Sequence, residues 1–150
     1  MNSMTISAIV KKDHATVDQL YQNYLKSQGN LPEQERFSTQ FQQELTKHAT
    51  AEEAVLYPAF EKYLGSEGKK IADEDRMEHQ TVKKLLHKLK ETPVSDSQHR
   101  MIFDELMTNL TKHVAGEENN DLPKFEGAIT PDLSTSLAQS FQQAKSSIAV

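Results

Sequence analysis

His48-Ala-Thr-Ala-Glu52-Glu53 and His113-Val-Ala-Gly-Glu117-Glu118 are one pattern written twice, and their spacing decides the fold. A shift of 65 positions carries the first onto the second (48 to 113, 52 to 117) and also carries Asp13-His14 onto Glu78-His79. Downstream, Pro58-Ala59-Phe60-Glu61 falls on Pro123-Lys124-Phe125-Glu126. In each half the first histidine precedes the second by 34 positions (14 to 48, 79 to 113). Residues four apart on an α-helix lie one turn apart on the same face, so His48 with Glu52 and His113 with Glu117 each form a chelating edge. A lone His-x3-Glu is ordinarily a surface pair. Two of them in register, with His14 and His79 in the same register, point to a two-fold site assembled from both halves of the chain.

Around these motifs the apolar residues recur at helical spacing, and strand-like alternation is missing. A first helix, about residues 4–28, carries Ile6, Ile9, Val10, Val17, Leu20 and Tyr24 and stops at Gly29-Asn30. Pro32 suits the first turn of a second helix, where its missing N–H is not needed. That helix carries Phe37, Phe41, Leu45, His48 and Glu52, bends or stops near Pro58, and ends at Gly65. A third, about 67–91 and capped by Ser66, holds Ile71, Met77, Val82, Leu85, Leu86 and Leu89. After Thr92-Pro93, Ser95-x2-Gln98 resembles a capping box opening a fourth helix that Pro123 and Gly127 close. Short connectors force neighbours antiparallel, so the expected fold is all-α: an up-down-up-down four-helix bundle over residues 1–127. Residues 128–150 are expected to add a short C-terminal fifth helix packed on the outside, with a structural role.

The chain has 150 residues, about one domain. Its 17 Lys and Arg against 22 Asp and Glu give a net charge of -5, which argues against a nucleic-acid partner and an anionic membrane surface. No apolar run approaches the roughly 20 residues of a membrane span, and the first residues open no signal peptide, so a cytoplasmic protein is expected. Without cysteine there is no thiol nucleophile and no sulfur-ligated metal. Any metal must sit on nitrogen and oxygen. Neither a serine triad nor a glycine-rich phosphate loop is present, and no catalytic residue is assigned.

In an antiparallel bundle the mid-helix His14 and His79 reach the level of the two His-x3-Glu edges. Imidazole with carboxylate suits transition ions of intermediate softness, and two shared carboxylates would leave two histidines to each of two ions, with a coordination position open for a small molecule. The expected metal ligands are thus His14, His48, Glu52, His79, His113 and Glu117. Asp75, one turn before His79, is a candidate seventh ligand in one half only, since its counterpart is Val10. Asp13, Glu53, Glu78 and Glu118 point about 100° away from their neighbours and are expected to be outer partners or surface charges. Val17, Val82 and Leu86 are expected to form an apolar lining. His87 and His99, whose counterparts are Gln22 and Gln34, read as surface residues; Tyr21 and Tyr57 read as packing, Met77, Met101 and Met107 as core, and Lys83, Lys84, Lys88 and Lys90 as a solvated face.

Taken together, Asp13-His14, His48-x3-Glu52-Glu53 with Leu56-Tyr57-Pro58, Glu78-His79, and His113-x3-Glu117-Glu118 with Leu122-Pro123 resemble the hemerythrin family, in particular its bacterial and fungal members with the His-His-Glu cation-binding domain. The resemblance covers about residues 5–126. It implies a four-helix bundle around a non-haem di-iron centre: two iron ions (Fe2+/Fe3+) joined by an oxo or hydroxo group, with His14, His48, His79 and His113 terminal and Glu52 and Glu117 bridging. Oxygen-carrying hemerythrins have a fifth histidine where Asp75 stands here. A carboxylate donates more charge and favours the ferric state, so the resemblance points to reaction with O2, peroxide or NO in sensing or scavenging. The alternative it leaves open is iron storage or buffering with ferroxidase or catalase-like turnover. A protein effector, if there is one, is not identified by the sequence.

Overall fold

Thr5 starts the first helix by accepting the Ala8 N–H at 3.1 Å in the computed structural model, which describes residues 4–148. Helix α1 (Ile6–Lys26) ends before Gly29, whose φ of 91° turns the chain. Asn30 then accepts the Glu33 N–H at 3.2 Å and opens α2 (Leu31–Ala51), with Pro32 in its first turn. Regular α geometry does give way near Pro58, but as a π turn (Glu52–Leu56) rather than a stop: the Tyr57 N–H donates to the Glu52 carbonyl, and the helix resumes as α3 (Tyr57–Glu91).

Helix α3 has two limbs joined at Gly65, where φ 63° and ψ -135° make the chain reverse. A β-carbon on Gly68 would run into the Phe60 carbonyl, so the limbs approach closely only because that residue is glycine. Asp96, one residue after the expected Ser95, caps α4 (Ser97–Gly116) by accepting the Gln98 N–H at 2.9 Å. A second π turn (Glu117–Asp121) leads into α5 (Leu122–Ala128), and Thr130 caps α6 (Pro131–Ser146). The two π turns are themselves related by the 65-position shift (52 to 117, 56 to 121).

These elements form the up-down-up-down bundle: α1, α2 continued into the first limb of α3, the second limb of α3, and α4 continued into α5. Helix α6 lies along α1, α2 and the first π turn. The described residues contain no strand, and no helix among them is long and apolar enough to cross a membrane.

Two apolar clusters fill the bundle, one at each end. One gathers Ile6, Val10, Leu56, Phe60, Ile71, Leu122, Phe125 and Phe141; the other gathers Val17, Phe41, Leu45, Val82, Leu89, Phe103, Leu106 and Leu110. Each fully buried Phe or Leu among them stabilises the fold by roughly 1.5–3 kcal/mol relative to exposure. On every bundle helix the candidate ligands lie between the residues of the two clusters. His14 separates Val10 from Val17, and His48 and Glu52 separate Leu45 from Leu56. The polar layer is therefore held at one level by apolar packing above and below it.

Three expectations are corrected. His99 is buried, not on the surface, because both ring nitrogens find partners: Nδ1 lies 2.7 Å from the Thr92 carbonyl and Nε2 2.9 Å from the Ser38 hydroxyl. Met77 and Met101 are 72% and 61% exposed; each lies two residues from buried neighbours on its helix, hence about 200° round from the core face. Met107 is in the core and His87 is exposed, as expected.

Candidate metal centre

The six expected ligands meet. His14, His48, Glu52 and Glu117 offer atoms that lie within 4.8 Å of one another, and so do Glu52, His79 and His113. Glu52 and Glu117 are completely buried, and the four histidines are 3–6% exposed. His48 Nε2 and His79 Nε2 stand 3.2 and 3.1 Å from Glu52 Oε1; His14 Nε2 stands 3.1 Å from Glu117 Oε1 and His113 Nε2 3.4 Å from Glu117 Oε2. The His14 and His48 rings pack edge-on with centroids 4.9 Å apart, and His79 and His113 repeat that arrangement at 4.9 Å.

Several of these short approaches are not hydrogen bonds. His14 Nε2, His48 Nε2, Glu52 Oε2 and Glu117 Oε1 are buried yet have no hydrogen-bond partner. Native interiors seldom leave buried polar atoms unpaired, and burying carboxylates without compensation costs several kcal/mol per ion. Without a metal, compensation falls to protons. Burial opposes a charge on His48 and His113, but the neighbouring Glu52 and Glu117 overcome it and raise both imidazoles to about 10. Glu52 is held well below the usual carboxylate range in spite of its burial, with His48 the main opposing influence. A set of buried nitrogen and oxygen donors that draws positive charge inward fits bound metal cations.

The outer nitrogens of the histidines explain how the rings are aimed. His48 Nδ1 is held by Asp13 at 2.8 Å, His113 Nδ1 by Glu78 at 2.7 Å, and His14 Nδ1 by Glu118 at 2.6 Å. Asp13 and Glu78 each steady the histidine of the adjoining helix rather than the one beside them in sequence, and the 65-position shift relates the two pairs. The shift predicts a fourth pair, His79 with Glu53. Those groups are 4.0 Å apart and His79 Nδ1 is unpartnered, because Lys83 holds Glu53 at 2.8 Å. Asp13 also binds Lys145 of α6 at 2.5 Å, so α6 reaches the support of His48 as well as covering it with Phe141. His48 and Lys145 bring the Asp13 carboxyl below its ordinary range against the effect of burial.

Tyr57, read from the sequence as packing, has its hydroxyl in the middle of the donor set. It lies 2.8 Å from His79 Nε2, 3.2 Å from Glu52 Oε1 and 3.3 Å from Glu117 Oε2. Burial and then the two glutamates push its phenol well above the usual value, so it keeps its proton and donates it. Regular helix spacing puts Tyr57 about 140° from Glu52, off the ligand face. The π turn adds one residue to the turn and swings it back. Its counterpart, Leu122, has no hydroxyl to offer.

Asp75 is buried beside Nδ1 of His113, 3.8 Å away, with its Oδ2 unpartnered. Burial, and then the adjacent Asp121 carboxylate, raise its pKa. Asp75 and Asp121 correspond to Val10 and Leu56, so this acidic pair occurs in one half only. Of the expected apolar lining, Val82 and Leu86, with Leu45 and Ala49, wall a cavity of about 60 Å3 that reaches His14, His48, Glu52, His79 and His113, while Val17 lies in a separate depression beside His14.

An all-α bundle with a buried four-histidine, two-glutamate cluster drawn from both halves of the chain defines a class of histidine–carboxylate metal-binding bundles. Residues 5–125 match the model of the Hemerythrin HHE cation binding domain, and the chain belongs to that family. It is 41% identical over 140 residues to an uncharacterized hemerythrin-like protein of Schizosaccharomyces pombe, covering 93% of this chain and 68% of that one. A DNA nickase of Nostoc is 28% identical over 145 residues, and the chain spans 40% of its length. The fold also matches the crystal structure of a Hemerythrin HHE cation binding domain-containing protein from Mycobacterium kansasii, with a TM-score of 0.79 at 22% identity over 96% of this chain and 89% of that one.

Proposed function

We propose that the chain binds two iron ions, one between His14 and His48 and the other between His79 and His113, with Glu52 and Glu117 shared. It would react at an open position with O2, peroxide or NO as a sensor or scavenger. The convergence of buried donors from four helices, with His14, His48, Glu52 and Glu117 each keeping an inward atom without a hydrogen-bond partner, carries this reading. Asp75 is a further donor on the His79–His113 side, a role its unpartnered buried Oδ2 supports. Bound iron would supply redox change and an exchangeable coordination position. The chain's own residues supply the rest: Asp13, Glu78 and Glu118 orient imidazoles, Leu45, Val82 and Leu86 exclude bulk water, and Tyr57 presents a proton at Oη toward the glutamates.

Anaerobic loading with ferrous iron should give about two ions per chain by mass spectrometry, the number for which the donor set has room. Exposure to air should then give the Mössbauer signature of two magnetically coupled ferric ions. Zero uptake, or two ions that do not interact, would overturn the proposal. Many rounds of peroxide removal per centre at an oxygen electrode would instead assign the protein to the turnover class.

A further inference from the structure

The 65-position repeat builds two equivalent seams beside the donor cluster, one between α2 and α3 and one between α1 and α4, yet they are lined differently. In the α2–α3 seam the 60 Å3 cavity walled by Leu45, Ala49, Val82 and Leu86 touches five of the six donors. Thr46, Lys83 and Leu86 also line an outer groove of about 430 Å3 that opens between Gln42, His87 and Lys90. Inner cavity and outer groove thus share lining residues and stand one behind the other between the surface and the donors.

The α1–α4 seam, its counterpart under the 65-position shift, has no such arrangement among the described residues. Val114 stands in the place of Ala49 and Tyr21 in the place of Leu86. The Tyr21 hydroxyl donates to Asp104 across the seam at 2.6 Å and latches it. The depression that remains, about 150 Å3 and lined by Val17, Asp18, Met107 and Val114, touches only His14 among the donors, so the seams differ in which donors they reach rather than in the space they hold. Charge differs as well. Asp18 corresponds to Lys83, and Leu25 to Lys90. Lys83 is paired with Glu53, which leaves Lys90 as the cation at the outer rim without a carboxylate partner among the described residues.

We propose that small reactants reach the centre by the α2–α3 seam alone, and that the path admits di- and triatomic molecules, anions faster than neutral ones of the same size. This rests on the metal-binding reading for its chemistry, though the path itself is a property of the folded chain. The inner cavity, a few times the ~10–15 Å3 that one water needs, is too small for an organic substrate. A local positive rim raises the encounter rate of anions even on a chain of net charge -5, and does so less as salt rises.

Transplanting the closed seam into the open one provides the test. Ala49→Val with Leu86→Tyr gives the α2–α3 seam the residues its counterpart carries. Azide and nitric oxide should both bind the iron-loaded double variant more slowly, by about tenfold or more, because a packed seam yields only through rare fluctuations. Thr111→Leu, in the α1–α4 seam, should leave both rates unchanged. Lys90→Glu should slow azide about two- to threefold at low salt and leave nitric oxide alone. The metal-free wild-type chain under xenon pressure should hold xenon between Leu45, Ala49, Val82 and Leu86, and the double variant should not. Wild-type azide and nitric oxide rates in a double variant with wild-type metal content would overturn the proposal, as would xenon in the α1–α4 seam instead. Failure of the wild-type chain to bind iron would sink the proposed function while the xenon result still decided the route.

Discussion

His48 is steadied by a half-buried Asp13 that is itself gripped by Lys145, and α6 covers the pair; its counterpart His113 is steadied by Glu78, whose side chain is 45% exposed. His14 is held at 2.6 Å by Glu118, whereas His79 has lost Glu53 to Lys83. Tyr57 bonds His79 and the pair Asp75–Asp121 lies beside His113, neither with a counterpart near His14 and His48, and the open seam brings Lys83 to its mouth. Identical donors are thus clamped in one half and left adjustable in the other. A duplicated sequence produces a symmetric donor set, and the neighbours that escaped the repeat make its two ends unequal.

The strongest way to break this comparison is to remove what the halves share. Glu52→Ala or Glu117→Ala deletes a donor common to both groups, and iron bound per chain should fall from about two to one or none by mass spectrometry, since both ions lose a ligand. His87→Ala, on the exposed face, should leave it unchanged. Equal metal content in all three variants would refute the shared-carboxylate arrangement.

Loss of an outer partner should be next in size, typically ~10–100-fold in metal affinity. Asp13→Ala should sit at the top of that range and Glu78→Ala at the bottom, because Asp13 is the more buried and also anchors α6. Competition with a chromophoric chelator measures both. If Glu78→Ala costs as much as Asp13→Ala, the clamped and adjustable halves are not distinct.

The pH response of the metal-free chain tests where the halves agree. His48 and His113 are raised to about 10 in the fold against 6.5 for the unperturbed group. A raised histidine contributes stability in full below its unfolded value and loses it as pH climbs through its folded one. Melting temperatures should therefore decline between about pH 6.5 and 10. Metal binding displaces the same protons, so affinity should rise across that window. Glu52→Gln and Glu117→Gln should each flatten the decline; a wild-type melt rising toward pH 10 would contradict the charge assignment.

The smallest effect is expected from Lys83→Ala, which removes one half-exposed ion pair worth ~0–1 kcal/mol and frees Glu53 to approach His79. Metal affinity should stay level or tighten slightly. A marked loss would show that Lys83 supports the site rather than competing for its fourth outer partner.

The fold and the six donors were legible because both rest on periodicity. Four-residue spacing places His48 with Glu52 and His113 with Glu117 whatever the rest of the chain does, and the duplicated register ties His14 and His79 to them. Asp13, Glu78 and Glu118 were legible as outer groups only by position, and which imidazole each serves depends on the neighbouring helix. Met77 and Met101 went astray because residue type was weighed above angle on the helix. His99 looked dispensable because its counterpart is Gln34, yet Ser38 and the Thr92 carbonyl satisfy both its nitrogens in the core.

By itself, then, the sequence determined an all-helical chain, the helix faces that pack, the duplicated donor set and the family. Those properties follow from local geometry, which each segment carries with it. Only the tertiary structure decided that Tyr57 enters the centre, that Lys145 reaches Asp13, that Lys83 takes Glu53 from His79, and that one seam stays open while Tyr21 and Asp104 close its twin. Each depends on an extra residue in a π turn or on contacts between helices far apart in sequence, and no periodicity within a helix encodes them.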